Sequence, residues 1–188
     1  LLTPIAKAYG TDTGCHVAHL GVQVHGGMGF IEETGAAQFS RDVRVTAIYE
    51  GTNGIQAMDL VGRKMMDNGE AAFRLIDEIQ ANAEAARAVL PDLATPVWTA
   101  AEALREATET LLAQPMNDRF AGAVPYQRAF ARVLGAHFHL ISASADASRA
   151  PLARFAIRRL LPEHAALLAQ MREGAAGVYA VTPDLLTL

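Results

Sequence analysis

Residues 70–90 read EAAFRLIDEIQANAEAARAVL, an alanine-rich, amphipathic run of good helix formers set between the breaker Asn68-Gly69 and Pro91. A helix over about Glu70 to Leu90 is the expectation. Working outward, the same character returns at about Pro96 to Ala113, Pro125 to Ala147 and Glu163 to Val181. Pro91, Pro96, Pro115, Pro125, Pro151 and Pro162 fall between these segments or in their first turns, where proline does least harm. No useful period-2 alternation of apolar residues, fixed repeat or low-complexity tract interrupts the pattern, so the fold class predicted is all-α.

Upstream of Asn68 the chain is built differently. Ile5, Ala8, Val17, Leu20 and Val24 recur at roughly helical spacing over Pro4 to Val24, with Gly10 and Gly14 as weak points, and the helix is expected to stop at Gly26-Gly27. Met28 to Glu50 mixes glycine, charge and short apolar groups, which predicts a loop with one short helix around Gly35 to Arg44. From Thr52 the pattern turns helical again. Ile55, Met58, Val61 or Gly62, and Met65 share one face, and Asn53 and Gln56 have capping-box spacing. Two units are expected, 1–67 and 68–188.

Composition excludes several functions. With 51% hydrophobic and 19% charged residues among 188, the chain reads as soluble and globular. The net charge of −4 and the dispersed Lys and Arg argue against a nucleic-acid surface. Cys15 stands alone, so no internal disulfide forms, no Cys/His spacing suits a metal, and thiol catalysis is not expected. No apolar run approaches the ~18 residues of a membrane helix, and no basic stretch followed by an apolar core, the pattern of a signal peptide, occurs in it. The start Leu1-Leu2-Thr3-Pro4, without methionine, reads as the middle of a longer polypeptide.

Chemistry-bearing residues gather in the first third. In Gln23-Val24-His25-Gly26-Gly27-Met28-Gly29-Phe30 the diglycine serves either as a helix C-cap or as backbone that a ligand approaches closely, with Gln23 one turn earlier as a hydrogen-bonding group. No Rossmann or P-loop glycine pattern occurs. In Ala47-Ile48-Tyr49-Glu50-Gly51-Thr52-Asn53-Gly54 a lone carboxylate follows apolar residues. Partial burial beside Ile48 and Tyr49 would raise its pKa toward a useful base, and the following helix N-terminus opposes that; a solvated acid before a capped helix is the plain alternative.

Residues 23–30, QVHGGMGF, and 41–64, RDVRVTAIYEGTNGIQAMDLVGRK, closely resemble the C-terminal helical domain of flavin-dependent acyl-CoA dehydrogenases, in the right order and with 27 residues from Gln23 to Glu50. The resemblance runs over about Leu1 to Met66. The remainder, through the terminal GVYAVTPDLL, resembles the helical extension of a bacterial subgroup that includes 3-methylmercaptopropionyl-CoA dehydrogenases. The implied fold is the end of the family's helical bundle followed by an additional helical bundle.

The resemblance implies the roles residue by residue. Glu50 is the base that removes the α-proton of an acyl-CoA thioester while hydride passes to flavin N5, and Tyr49 and Gly51 line the thioester region. Thr52 and Asn53 approach the flavin. Gln23, Gly26 and Gly27 contact the adenylate portion of an FAD held mainly by a neighbouring subunit, with His25 as a loop residue making backbone contacts there. Arg41-Asp42 positions the loop, and Glu32-Glu33 is solvated charge.

Implied partners are an acyl-CoA substrate, an electron-transfer flavoprotein and further copies in a dimer or tetramer, in the bacterial cytoplasm. Because the chain starts inside the C-terminal domain, the resemblance also implies that it alone neither holds FAD tightly nor turns over. Two alternatives remain open: an acyl-CoA oxidase using dioxygen, and a helical assembly module without its own catalysis. For the latter, the stripe Phe130, Val133, Leu134, His137, Phe138, Ile141 serves either as core or as a dimer face.

Overall fold

The computed structural model describes residues 1–186, which contain helices and turns and no strand. The helices are α1 (Leu2–Val24), α2 (Gly27–Phe30), α3 (Ala36–Arg44), α4 (Asn53–Val61), α5 (Glu70–Ala86), α6 (Pro91–Ala113), α7 (Met116–Ala121), α8 (Ala123–Ala145), α9 (Ala150–Phe155), α10 (Glu163–Arg172) and α11 (Ala176–Tyr179). The all-α expectation holds. None of the described helices is long and apolar enough to cross a membrane.

Helix α8 is the axle, touching α1, α4, α5, α6, α9 and α10. Its stripe answers the question left open by the sequence: Phe130, Val133, Leu134 and His137 are buried core, whereas Phe138 is half-exposed. Burial along one face is what orders a helix of this length, since propensity alone leaves helices marginal in water. Asn68 and Gly69, both left-handed at φ 56° and 77°, turn the chain at the expected division, with Asp67 Oδ1 accepting from the Gly69 N–H at 3.0 Å. The core nevertheless runs through that division, joining Ile5, Leu60, Val61 and Met65 to the later helices. Gln127 Nε2, buried on α8, donates to the Pro4 carbonyl of α1 at 2.8 Å.

Several boundaries differ from expectation. Helix α6 starts at Pro91, so Pro96 lies inside it. Proline cannot donate to the carbonyl four residues back, and Arg158 Nη2 fills that place by donating to the Asp92 carbonyl at 2.7 Å. The last expected helix, Glu163 to Val181, breaks at Gly174 (φ 66°), where the Ala175 N–H donates to Asp118 Oδ1 at 2.8 Å, and α11 follows as a separate turn. Helix α9 and the π-helical turn Ala156–Leu160 lie in a stretch expected to be non-helical.

The expected apolar faces upstream also need correcting. On α1 only Pro4, Ile5 and Ala8 are buried, and Val17, Leu20 and Val24 are exposed, Val24 by 85%. The reason is what α1 has to pack on: besides α8 and α4, its neighbours are the short α2 and α3 and the 3-10 turn Val45–Ala47, too little surface to cover every turn. On α4 the buried side is Ala57, Leu60 and Val61, leaving Ile55 and Met58 outward.

His137 carries a pH dependence. Its Nε2 lies 3.1 Å from Asn82 Nδ2, its Nδ1 has no partner, and burial lowers its pKa against the opposing pull of Glu78. The folded imidazole therefore stays neutral where the unfolded one, with a pKa of about 6.5, takes up a proton. The unfolded state binds more protons below about pH 6.5, so this contribution is complete above that value and is lost as pH falls, by up to about 1.4 kcal/mol per pH unit. Denaturant unfolding at pH 7.5 and 5.5 is expected to show this acid loss reduced in His137→Leu. Equal losses in both proteins would refute it.

Candidate active site

Glu50 sits between α3 and α4. After Arg44 a 3-10 turn, Val45–Ala47, brings Tyr49 round so that its N–H donates to the Val45 carbonyl at 3.1 Å. Glu50 and Gly51 then both take left-handed backbone, φ 57° and 78°, and reverse the chain into α4. Thr52, not Asn53, is the residue that caps this helix, its hydroxyl accepting from the Ile55 N–H at 3.5 Å.

The reversal has a twin. Asn68-Gly69, which starts α5, has φ 56° and 77°, close to the values at Glu50-Gly51. Asparagine tolerates that conformation because its short side chain bonds locally; glutamate does not, and a left-handed non-glycine residue costs on the order of 1–2 kcal/mol. Residues held in such conformations cluster at functional sites, where surrounding contacts over-determine them.

Here those contacts are explicit. Gln56 Nε2 donates to the Glu50 carbonyl at 2.8 Å, and Lys7 Nζ, reaching across from α1, donates to the Gly51 carbonyl at 2.8 Å and to Asn53 Oδ1 at 2.7 Å. Asn53 Nδ2 in turn donates to Thr11 Oγ1 at 2.9 Å and Asp12 Oδ1 at 2.7 Å. The turn is thereby fixed to α1, and the Asn53 side chain is wholly engaged there.

The Glu50 side chain itself is exposed. It borders a groove of about 300 Å³ lined also by Thr3, Pro4, Ile55 and the Asp59–Arg63 pair. Arg63 Nε donates to Asp59 Oδ1 at 2.6 Å and holds that carboxyl below its usual pKa, so Asp59 is a poor proton carrier. Ile48, Tyr49 and Ile55 stand exposed around Glu50. These residues alone do not exclude water from it.

The second motif lies elsewhere. Gln23, His25, Gly26 and Gly27 are all exposed at the far end of α1, roughly 24 Å along the helix axis from Lys7 at 1.5 Å per residue. Gly26 (φ 59°) ends the helix, its N–H donating to the Gln23 carbonyl at 3.0 Å, and His25 Nδ1 lies 2.9 Å from the Gly21 carbonyl. The two motifs do not meet in one cavity. Among the charged loop residues, Glu32 is solvated as expected and faces the exposed Arg41 at 3.6 Å.

Three residues escaped the sequence reading. Lys7 is remote in sequence from the turn it holds and carries no spacing signal. Gln56 was readable only as a capping partner. Gly29 is buried, and a Cβ there would come within 2.2 Å of the Val22 carbonyl oxygen, so helix packing, not cofactor access, demands that glycine.

Together these features define a helical unit presenting one strained, exposed carboxylate on a turn clamped to its longest upstream helix. The family described as "Acyl-CoA dehydrogenase, C-terminal domain" matches residues 2–66, and "Acetyl-CoA dehydrogenase C-terminal like" matches residues 75–182. The chain belongs to the acyl-CoA dehydrogenase family, as its C-terminal part. It is 46% identical over 132 residues to the 3-methylmercaptopropionyl-CoA dehydrogenase of Ruegeria pomeroyi, covering 66% of this chain and 22% of that protein. It is 42% identical over 77 residues to a butyryl-CoA dehydrogenase of Syntrophomonas wolfei, covering 40% and 13%. To the mitochondrial short-chain specific acyl-CoA dehydrogenase of Homo sapiens it is 38% identical over 58 residues, covering 31% and 14%. The matched region thus spans about a fifth or less of the length of these relatives.

Proposed function

We propose that this chain supplies the proton-abstracting carboxylate of an FAD-dependent acyl-CoA dehydrogenase, with Glu50 removing the α-proton of an acyl-CoA thioester. The observation that carries the reading is the clamped left-handed backbone of Glu50, a conformation its residue type disfavours and its asparagine twin accommodates. The α C–H bond gives its proton to a Glu50 carboxylate oxygen, the β-carbon gives up a hydride, and the trans-2-enoyl-CoA forms. FAD, when bound, supplies the hydride acceptor, and an electron-transfer flavoprotein then takes the electrons.

The residues present would make two separate cofactor contacts, one at the diglycine with the adenylate of an FAD held mainly by a neighbouring subunit and one beside Glu50 on the flavin side. Positions where a Cβ would stand on Gly26 and Gly27 have no atom within 4 Å, so that backbone is open to close approach by an adenylate, flanked by Gln23 and His25. Thr52 would meet the flavin side with its backbone and hydroxyl, and Asn53 with backbone alone, since α1 holds its side chain. Tyr49 and Gly51 line the thioester.

Val17, Leu20 and Val24, at i, i+3 and i+7 spacing on α1, are exposed, as are Phe30 on α2 and Phe39 on α3, and the rest of the enzyme, or a neighbouring subunit of a homo-oligomer, covers them in the bacterial cytoplasm. Covering Ile48, Tyr49 and Ile55 in the same way dries the site and strengthens Glu50 as a base. The test is Glu50→Gln in the full-length enzyme. Substrate is expected to bleach its flavin on the order of 10²-fold or more slowly at preserved FAD content, and bleaching at the parental rate overturns the reading.

A further inference from the structure

A base acts only from the right place, and Glu50 is on an exposed turn whose backbone favours relaxation out of the left-handed region. Two consecutive left-handed residues turn their carbonyls out of any helical hydrogen-bond ladder, and each of these carbonyls is taken by a different side chain from a different helix. Gln56, in the first turns of α4, takes that of Glu50 at 2.8 Å; Lys7, on α1, takes that of Gly51 at 2.8 Å. Lys7 is half-buried and is itself held, because Asn53 Oδ1 accepts from it at 2.7 Å while the Asn53 amide is tied to Thr11 and Asp12. The chain of contacts runs from Asp12 through Asn53 and Lys7 to Gly51. An ammonium carried on α1 and held by Asn53 therefore fixes the carbonyl immediately after the base.

We propose that Lys7 and Gln56 are positioning residues for proton abstraction: together they hold the Glu50-Gly51 turn left-handed and so fix where the Glu50 carboxylate meets the α-proton. The proposal rests on the assignment of Glu50 as the base. Neither side chain touches the reacting atoms, and each acts through the backbone of the residue that does. Their sequence separation from Glu50 differs, 43 residues upstream and six downstream, so the two anchors belong to independent helices and are removable one at a time.

The experiment uses the full-length, FAD-loaded enzyme and stopped-flow bleaching of the flavin by an acyl-CoA substrate, with Lys7→Met, Gln56→Leu, Glu50→Gln and the double variant Lys7→Met/Glu50→Gln. Misplacement of a reacting group by about 1 Å costs roughly a hundredfold in rate. Lys7→Met and Gln56→Leu are each expected to slow bleaching about ten- to a hundredfold, with FAD content kept and substrate Kd within about twofold of the parent. In the Glu50→Gln background, Lys7→Met is expected to change the residual rate no further, because an anchor without its base has nothing to aim.

Parental bleaching rates in both single variants overturn the proposal. So does a loss of rate matched by loss of FAD or of substrate affinity, which marks a merely structural role, and so does an undiminished Lys7→Met effect in the absence of the Glu50 carboxylate. Should Lys7→Met fail to fold, Gln56→Leu alone decides by the same criteria. The failure of the underlying assignment looks different: Glu50→Gln then bleaches at the parental rate, whatever the anchors do.

Discussion

Truncating Phe130 to alanine is expected to cost about 3–5 kcal/mol of folding stability, the range for emptying a fully buried aromatic site. Phe130 is 0% exposed at the centre of α8 and meets Tyr126 edge to face, with centroids 6.0 Å apart and an interplanar angle of 82°. The Tyr126 hydroxyl is itself fixed, 2.8 Å from Thr108 Oγ1 on α6. A cavity at Phe130 therefore opens among groups that have no freedom to collapse into it. Against a typical total of about 5–15 kcal/mol, the loss consumes much of the margin. For a chain of this length it lowers Tm by roughly 6–20 °C.

Phe138, eight residues on and 52% exposed, is the internal control, with an expected cost within about 1 kcal/mol. Thermal melts of the two variants measure the contrast. A Phe138→Ala loss as large as that of Phe130→Ala would show that this face is covered by another protein surface in solution.

The helical character was legible because it is local. Alanine-rich runs bounded by Asn68-Gly69 and the prolines specify helices by propensity and breakers alone, and α5 and α8 fall where those signals put them. What failed depended on something remote. Pro96 by itself signals a helix start, yet the helix extends upstream of it because Arg158, 62 residues later, satisfies the carbonyl that proline leaves bare. The apolar residues of α1 and α4 have helical periodicity, but periodicity does not say which turns are covered; Val17, Leu20, Val24, Ile55 and Met58 stay exposed here.

At the candidate site the division is similar. Glu50 and the glycines stand out as residue types in an unusual order, while the left-handed φ of Glu50 and the reach of Lys7 from α1 exist only once the helices are packed. The twin turn at Asn68 makes the point in one protein. Nearly the same pair of φ angles is built there from a residue suited to it, so the glutamate at the other turn is a choice that local structure does not dictate.

Replacing Glu50 with glutamine in the full-length enzyme is expected to slow flavin reduction by substrate on the order of 10²–10⁴-fold, the range a positioned general base contributes. That corresponds to about 3–5 kcal/mol of transition-state stabilisation. Glutamine keeps the length and planarity of the side chain and its place on the clamped turn, so Lys7, Gln56 and Asn53 retain their partners and only the proton acceptor is lost. FAD content and substrate Kd are expected to stay at parental values, placing the loss in the chemical step.

A second substitution at the same position separates chemistry from strain. Glu50→Asn also removes the base, and it installs the residue type that the twin turn uses at φ 56°. Relief of left-handed strain is expected to raise folding stability by about 0.5–1 kcal/mol while activity is lost, read as an upward shift of the denaturation midpoint against parent and Glu50→Gln. Opposite signs for stability and rate at one residue mark a conformation kept for what it does and not for how it folds. If Glu50→Asn is no more stable than Glu50→Gln, the left-handed backbone carries no strain worth relieving, and only the carboxylate's identity distinguishes this turn from its twin.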